Sequence, residues 1–172
     1  FEKNPRPPLI VDPVMVATSG AVLLKPTAIR ALKERLFPLA TLITPNLDET
    51  RLLLRRPLRT LEDLLDAAGD LHDRFGCAVL VKGGHLTLGR EAVDVLFDGK
   101  KFTVLKARRV TGVSTHGTGC TYSAAIAANL ARKEILLPAI IKAKEFITRA
   151  IALSYRAGKH PSLNQQHAKR IR

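Results

Sequence analysis

The sequence contains few of the residues that mark disulfide-rich, zinc-binding or membrane proteins. Its two cysteines, Cys77 and Cys120, form no C-x-x-C pair, which excludes a disulfide framework and fits a reducing compartment. No apolar run approaches the roughly 18 residues of a membrane span, and the first residues lack the pattern of a signal peptide. The five histidines show no metal-site spacing, so no structural zinc is expected. We therefore expect a cytoplasmic protein with no membrane partner.

Acidic residues are also scarce. The chain has 28 Lys and Arg against 15 Asp and Glu, a formal net charge of +13, which favours anionic ligands. The basic residues are scattered, without interleaved aromatic residues or a recognisable nucleic-acid module, so nucleic acid is not expected as the partner. A noncatalytic, basic, nucleic-acid-binding protein is the alternative from a different class.

Length and apolar pattern predict one α/β domain over residues 1–172. A chain of this length that is 46% hydrophobic can build one core. Apolar runs alternate with amphipathic segments, which favours a mostly parallel sheet with helices on both faces. The expected strands are 9–11, 41–44 and 77–81, with Cys77 as inert core, followed by a hairpin of 92–97 and 102–105. The expected helices are 26–37, a segment after 45–49, 60–75, a segment after Gly119, and 138–155, and the tail 160–172 is expected to be frayed. Pro26 is expected to begin the first helix, Thr60 with Asp63 to cap the helix 60–75, and Gly76 to end it.

A glycine-rich loop leads into a helix within residues 109–132. The first amides of a helix lack internal partners and lie at the positive end of its dipole, so they can hold a phosphate or an oxyanion. Gly117 and Gly119 remove the Cβ atoms that would keep a ligand from the backbone. Cys120 falls in the first turn, where a thiolate is favoured and can act as a base. The simpler alternative is a tight turn before a buried helix.

Polar residues follow the predicted parallel strands. Asp12 and Lys82 come at the ends of two of them, and ligands of open α/β sheets bind at that edge. Asp12 is a candidate for handling a metal or a substrate hydroxyl, and Lys82 for neutralising phosphate oxygens. The alternatives are a loop-capping aspartate and an ordinary exposed lysine in a glycine turn.

Asn46 and Glu49 follow the second strand with the spacing of a capping box. The alternative is that the Glu49 carboxylate is directed to water and Mg²⁺ beside bound phosphates. On that alternative, Glu49→Gln is expected to change stability little, because glutamine keeps the hydrogen-bonding capacity of the cap.

Four motifs in series resemble a known family. The segments VDPVMVATSG at 11–20, ITPNLDE at 43–49, VKGGH at 81–85 and STHGTGCTYSAAIAANLA at 114–131 resemble the hydroxymethylpyrimidine and phosphomethylpyrimidine kinases of thiamine biosynthesis, in the ribokinase-like superfamily. The match runs from about Leu9 to Gly158 in order and spacing. The nearest enzymatic alternative is a pyridoxal kinase that shares the cysteine variant of the loop.

The resemblance implies a three-layer αβα sandwich and an ATP- and Mg²⁺-dependent kinase of a pyrimidine alcohol and its monophosphate, expected as a homodimer or other homo-oligomer. It also implies that this chain lacks an N-terminal part of the family's fold, with much of the pyrimidine pocket. Site roles carried over by position are Cys120 as base, Gly117, Thr118 and Gly119 as an anion hole, Asp12, Lys82 and Thr115 at the phosphates, and Asn46 and Glu49 as water-mediated holders of Mg²⁺.

Overall fold

The computed structural model describes residues 6–17, 20–84, 86, 90–112, 117–158 and 160–166. It divides into two compact units, unit 1 (Phe1–Lys106) and unit 2 (Ala107–Arg172). The strands are β1 (Ile10–Val11), β2 (Leu42–Ile43), β3 (Ala78–Lys82), β4 (Glu91–Phe97), β5 (Phe102–Arg108), β6 (Tyr155–Ala157) and β7 (His160–Ser162). The α-helices are α1 (Pro26–Ala31), α2 (Leu47–Leu54), α3 (Leu61–Phe75), α4 (Thr118–Ala131) and α5 (Leu136–Ala152). None of the described helices is long and apolar enough to cross a bilayer.

A five-stranded sheet organises unit 1 in the order β1-β2-β3-β4-β5. β1, β2 and β3 are parallel, with Ile10 beside Leu42 and Leu42 beside Ala78. β4 returns antiparallel to β3, pairing Val79 with Phe97. The predicted α/β arrangement is confirmed, with a mixed sheet in which β1, β2 and β3 are the parallel strands. Its consequence is that the carboxyl ends of β1, β2 and β3 lie at one edge of the sheet.

Helix α3 supplies much of the core of unit 1. Thr60 and Asp63 form the predicted capping box at its start, and Gly76 ends it in the left-handed conformation with φ 70°. Because apolar residues recur along one face, Leu64, Leu71 and Phe75 are buried against the sheet.

The predicted helix 26–37 is an α-helix only at its start. After Ala31 the chain passes through a π-helical turn at Leu32–Leu36 and a 3₁₀ turn at Phe37–Leu39. Pro38 has no amide hydrogen to donate to the carbonyl four residues earlier, which ends regular α-helix geometry. Phe37 is nevertheless fully buried, edge-on to Phe75 with ring centroids 5.0 Å apart.

Unit 2 contains the helix pair α4 and α5, and the expectation of a frayed tail is wrong for its first residues. β7 pairs antiparallel with β6, because Gly158 adopts φ 62° in the turn between them. Beyond β7, Gln165 Nε2 donates to Thr121 Oγ1 at 2.9 Å, and Asn164 N donates to Ala150 O at 3.1 Å. These bonds tie the segment to both helices. Residues 167–172 lie outside the described part of the chain.

The turn after β3 has no room for a side chain at Gly83. A Cβ there would lie 2.5 Å from Val93 O and 2.7 Å from Leu64 Cδ1. We expect Gly83→Ala to lower the free energy of unfolding by about 1–3 kcal/mol, because the backbone must move to relieve the overlap. Gly84→Ala is the matched control, since a Cβ at Gly84 meets nothing within 4 Å. Urea unfolding of both variants measures the difference, and equal stabilities would contradict the prediction.

Candidate functional site

Five polar residues meet where the parallel strands of unit 1 end, and we call them the strand-end cluster: Asp12, Thr44, Asn46, Glu49 and Lys82. Asp12 follows β1, Thr44 and Asn46 follow β2, and Lys82 is the last residue of β3. The backbone completes the arrangement, since Lys82 N donates to Pro45 O at 2.9 Å. Residues far apart in sequence are therefore brought together by the parallel sheet, as their strand-end positions predict.

Lys82 and Asp12 form an ion pair, with Nζ 2.8 Å from Oδ1 and side-chain exposures of only 11% and 15%. Thr44 Oγ1 is 3.4 Å from the same oxygen. The alternative of an ordinary exposed lysine is therefore wrong. A phosphate beside this pair would meet one positive and one negative group, so a bridging cation would be needed for Asp12 to face it.

The predicted capping box at Asn46 and Glu49 is confirmed and extended by a third contact. Asn46 Oδ1 accepts from Glu49 N at 2.9 Å, while Glu49 Oε2 accepts from Asn46 N at 2.8 Å. Glu49 Oε1 also accepts from Met15 N at 2.9 Å, which ties the loop after β1 to the start of α2. Only 1% of Glu49 is exposed. Because both carboxylate oxygens accept from backbone amides, the expectation that glutamine would preserve the hydrogen bonds is wrong.

The electrostatics of Glu49 favour a nearby cation. Burial raises the pKa of Glu49 above its ordinary value of 4.5, although the amide of Asn46, the charge of Lys82 and the amide of Met15 act in the opposite direction. The charge of Asp12 adds slightly to the rise. The charged form of a carboxylate that burial destabilises is stabilised when a positive ion or a further hydrogen-bond donor approaches it.

This raised pKa predicts a pH dependence of stability. Between the ordinary value of 4.5 and the raised value, folded Glu49 holds a proton more often than unfolded Glu49, so its contribution to the free energy of unfolding falls as pH rises through that window. We expect the difference in unfolding free energy between the wild type and Glu49→Gln, which cannot titrate there, to shrink from pH 4 to pH 7. Chemical denaturation at several pH values measures it. A difference that grows with pH would contradict the assignment.

The cluster suits a water-mediated Mg²⁺ and does not form a protein cage. Among the described residues no group of three or more His, Cys, Asp or Glu side chains can hold a metal ion. Mg²⁺ commonly keeps several waters and uses one or two carboxylates together with phosphates. Each carboxylate oxygen of Glu49 accepts one backbone hydrogen bond and has a second lone pair for a metal-bound water. Asn46 Oδ1 is already used by Glu49 N, so Asn46 is the weaker candidate.

In unit 2, the predicted glycine loop and helix start are confirmed for residues 117–120. Gly117 caps α4 with φ 79°, a conformation that disfavours residues with a Cβ. Cys120 is the third residue of the helix and is exposed. Thr118 Oγ1 is buried and has no hydrogen-bond partner within the described residues, so it fits an oxygen of a ligand. Thr115, predicted at the phosphates, lies outside the described part.

Sequence reasoning missed Thr44 and the Met15 amide. Thr44 stands directly after β2 and before the recognised Pro45-Asn46 pair, so its position at the strand end was an available signal. No sequence signal indicated the Met15 contact, because it joins a backbone amide to a side chain 34 residues away. By contrast, Cys77 is buried core as predicted, and its burial raises the pKa of the thiol to about 11.

Residues 1–164 match the family described as phosphomethylpyrimidine kinase. The chain belongs to the phosphomethylpyrimidine kinase family. A hydroxymethylpyrimidine/phosphomethylpyrimidine kinase of Rhizobium meliloti is 48% identical over 148 residues, which cover 86% of this chain and 55% of that protein. A pyridoxine kinase of Bacillus subtilis is 40% identical over 164 residues, covering 95% and 60%.

The fold agrees with this family. The structure of the pyridoxal kinase from Staphylococcus aureus in complex with AMP-PCP superimposes with a TM-score of 0.86 at 33% identity, covering 95% of this chain and 60% of that one. The predicted ribokinase-like α/β fold is confirmed. The chain spans 55% and 60% of the lengths of these two curated relatives.

Proposed function

We propose that this phosphomethylpyrimidine kinase family chain takes part in ATP-dependent phosphorylation of hydroxymethylpyrimidine and of its monophosphate, with Mg²⁺. The observation that carries the proposal is the glycine loop at the start of α4, where Gly117 adopts φ 79° and Cys120 is exposed in the first turn. The match to the family over residues 1–164 supplies the reaction class.

The loop suits phosphoryl transfer to an alcohol. The first amides of α4 and the hydroxyl of Thr118 would stabilise negative charge on phosphate oxygens. The thiolate of Cys120 would accept the proton of the substrate hydroxyl. The alcohol oxygen then bonds to the γ-phosphorus, the bond from that phosphorus to its bridging oxygen breaks, and ADP leaves with the electron pair.

The strand-end cluster supports the metal and phosphate requirements. Bound Mg²⁺ would supply neutralisation of phosphate charge, with Glu49, assisted by Asn46, as a holder through water. Lys82 would add a positive charge beside the Asp12 carboxylate that it pairs with at 2.8 Å. The capping box holds Asn46 and Glu49 at the start of α2. The contacts inside the cluster thus orient acidic and basic groups before any ligand binds.

Phosphorylation of pyridoxal or pyridoxine is the second candidate. It is favoured by the pyridoxine kinase of Bacillus subtilis, which is 40% identical over 95% of this chain, and by the pyridoxal kinase structure with a TM-score of 0.86. Hydroxymethylpyrimidine and pyridoxal both carry a hydroxymethyl group on an aromatic nitrogen ring, so the same loop chemistry serves phosphorylation of either alcohol.

We further propose a homo-oligomer in the cytoplasm, as expected from the sequence, which light scattering and cell fractionation would test.

A substrate comparison tests the proposal. The protein made from the full reading frame that contains this chain is incubated with ATP and Mg²⁺ and with hydroxymethylpyrimidine, its monophosphate or pyridoxal, and ADP release is measured. We expect turnover with both pyrimidines. Activity on pyridoxal alone would replace the first candidate by the second. Tight binding of duplex DNA with no phosphorylation of any of the three would reject both and favour a nucleic-acid-binding protein.

A further inference from the structure

A solvent-open depression lies in unit 1 at the end of α2, away from the strand-end cluster. It encloses about 490 Å³, and we call it the arginine depression after its lining residues, Arg51, Arg55, Arg56, Pro57 and Arg59. No acidic or aromatic side chain belongs to that lining among the described residues. Four arginines lining one shallow depression give it a strong attraction for anions.

Two of these arginines are held in place by the fold. Arg51 Nη1 lies 2.9 Å from Asp48 Oδ1, and Arg51 Nη2 donates to Leu58 O at 2.8 Å. Arg56 Nη2 lies 2.9 Å from Asp70 Oδ2, without an aligned hydrogen bond. Guanidinium groups that are already positioned lose less conformational freedom when a ligand binds.

The other two, Arg55 and Arg59, are exposed and form no side-chain ion pair within the described residues. Arg55 occupies the end of α2 with φ 56°, where glycine or asparagine is favoured. The local helix end therefore gives no reason for arginine at this position. The backbone amide of Arg59 donates to Asp63 Oδ2 at 2.7 Å, which leaves its guanidinium group available.

The surrounding charges reduce the positive field without cancelling it. Asp48 and Asp70 pair with Arg51 and Arg56, and the partial negative charge of the end of α2 opposes an anion. Asp63 lies near Arg56, but its carboxylate already accepts the capping amides of α3. Within the described part of the chain, the full charges of Arg55 and Arg59 remain unpaired beside the paired guanidinium groups of Arg51 and Arg56, an arrangement suited to an anion that carries several charges in a small volume.

We propose that the arginine depression binds a compact oligophosphate, either free or as the phosphate chain of a nucleotide. A nucleic acid is disfavoured, because the arginines are confined to residues 51–59 and no aromatic side chain is present for base stacking. α2 has eight residues and so rises about 12 Å from its start, which carries the Asn46 and Glu49 capping box, to its end at Arg55. The depression is therefore a second phosphate site, separate from the strand-end cluster and independent of the proposed kinase activity.

Binding of sodium triphosphate to the full-length protein, measured by isothermal titration calorimetry, tests the proposal. The variant Arg55→Ala/Arg59→Ala removes the two arginines without side-chain pairs, so it should fold normally. We expect its dissociation constant to rise about 10–100-fold, since each lost charged hydrogen bond contributes roughly a factor of ten. The matched control is Arg30→Ala/Arg35→Ala, which removes the same charge from exposed positions elsewhere in unit 1.

Three comparisons decide the outcome. Weaker triphosphate binding in Arg55→Ala/Arg59→Ala but not in Arg30→Ala/Arg35→Ala supports the site. If the same weakening is found when Lys82→Ala is also present, the binding measured is not that of the strand-end cluster. Equal weakening in both arginine variants would reduce the effect to net charge and overturn the proposal, as would binding of RNA without binding of triphosphate. Equal affinity for triphosphate and ATP would support recognition of phosphate alone, whereas tighter ATP binding that still depends on Arg55 and Arg59 would support a nucleotide.

Discussion

Replacing Cys120, the proposed general base, with alanine in the protein made from the full reading frame is expected to lower kcat by ~10²–10⁴, the usual contribution of such a base. The affinity for ATP should change little, because the amides at the start of α4 and the hydroxyl of Thr118 remain in place. The melting temperature should also change little, since Cys120 is exposed. Steady-state kinetics and thermal unfolding of the same preparations measure all three quantities.

The second cysteine supplies a matched control for this prediction. Cys77 is only 4% exposed, and its burial raises the pKa of the thiol to about 11, which makes it unreactive core. Cys77→Ala should therefore lower stability, by about 1 kcal/mol for one buried heavy atom, and leave kcat unchanged. Cys120→Asp should recover part of the rate lost in Cys120→Ala, because a carboxylate at the start of a helix is stabilised by the dipole. Near-normal turnover of Cys120→Ala would show that Cys120 is not the general base.

The elements that the sequence predicted best have strong local signals. The capping residues Thr60 and Asp63 and the terminal Gly76 fixed both ends of α3, since each acts on its own helix end. Pro26 likewise fixed the start of α1. Strand-end positions predicted that Asp12 and Lys82 would meet, because the carboxyl ends of neighbouring parallel strands share an edge. Local chemistry and a simple rule of topology were sufficient for these features.

The features that could not be predicted depend on contacts between distant residues. The hydrogen bond from Met15 N to Glu49 joins a loop and a helix start 34 residues apart, and neither segment signals the other. The hairpin of β6 and β7 follows Gly158 in a segment with no apolar periodicity, and its attachment at Gln165 to Thr121 spans 44 residues. The four arginines of the arginine depression are close together in the sequence, but their grouping around one depression depends on the turn after α2, which the sequence did not predict.

Glu49→Gln is expected to lower the free energy of unfolding by about 2–4 kcal/mol, since buried donors left without an acceptor cost ~1–3 kcal/mol each. In the wild type, Met15 N and Asn46 N donate to different carboxylate oxygens. A glutamine side chain can accept from only one of these amides, and its own NH₂ group would then face the other. The loop after β1 should loosen, and with it the position of Asp12.

The capping box of α3 provides a matched control for Glu49→Gln, because the same chemical change can be made there at an exposed site. Asp63→Asn is the same acid-to-amide change at the same helix position, but Asp63 Oδ2 accepts the amides of Arg59 and Thr60 in contact with water. Those amides lower the pKa of Asp63, so its contribution to stability is present above the ordinary value of 3.8 and is lost as pH falls below it. The pH dependence thus has the opposite sign to that of Glu49.

We expect Glu49→Gln to lose more stability than Asp63→Asn at pH 7. We also expect it to require more Mg²⁺ for half-maximal turnover, whereas the Mg²⁺ requirement of Asp63→Asn stays at the wild-type value. Denaturant unfolding and Mg²⁺ titrations of both variants separate the two roles of Glu49: a large loss of stability with an unchanged Mg²⁺ requirement would leave it a structural cap only.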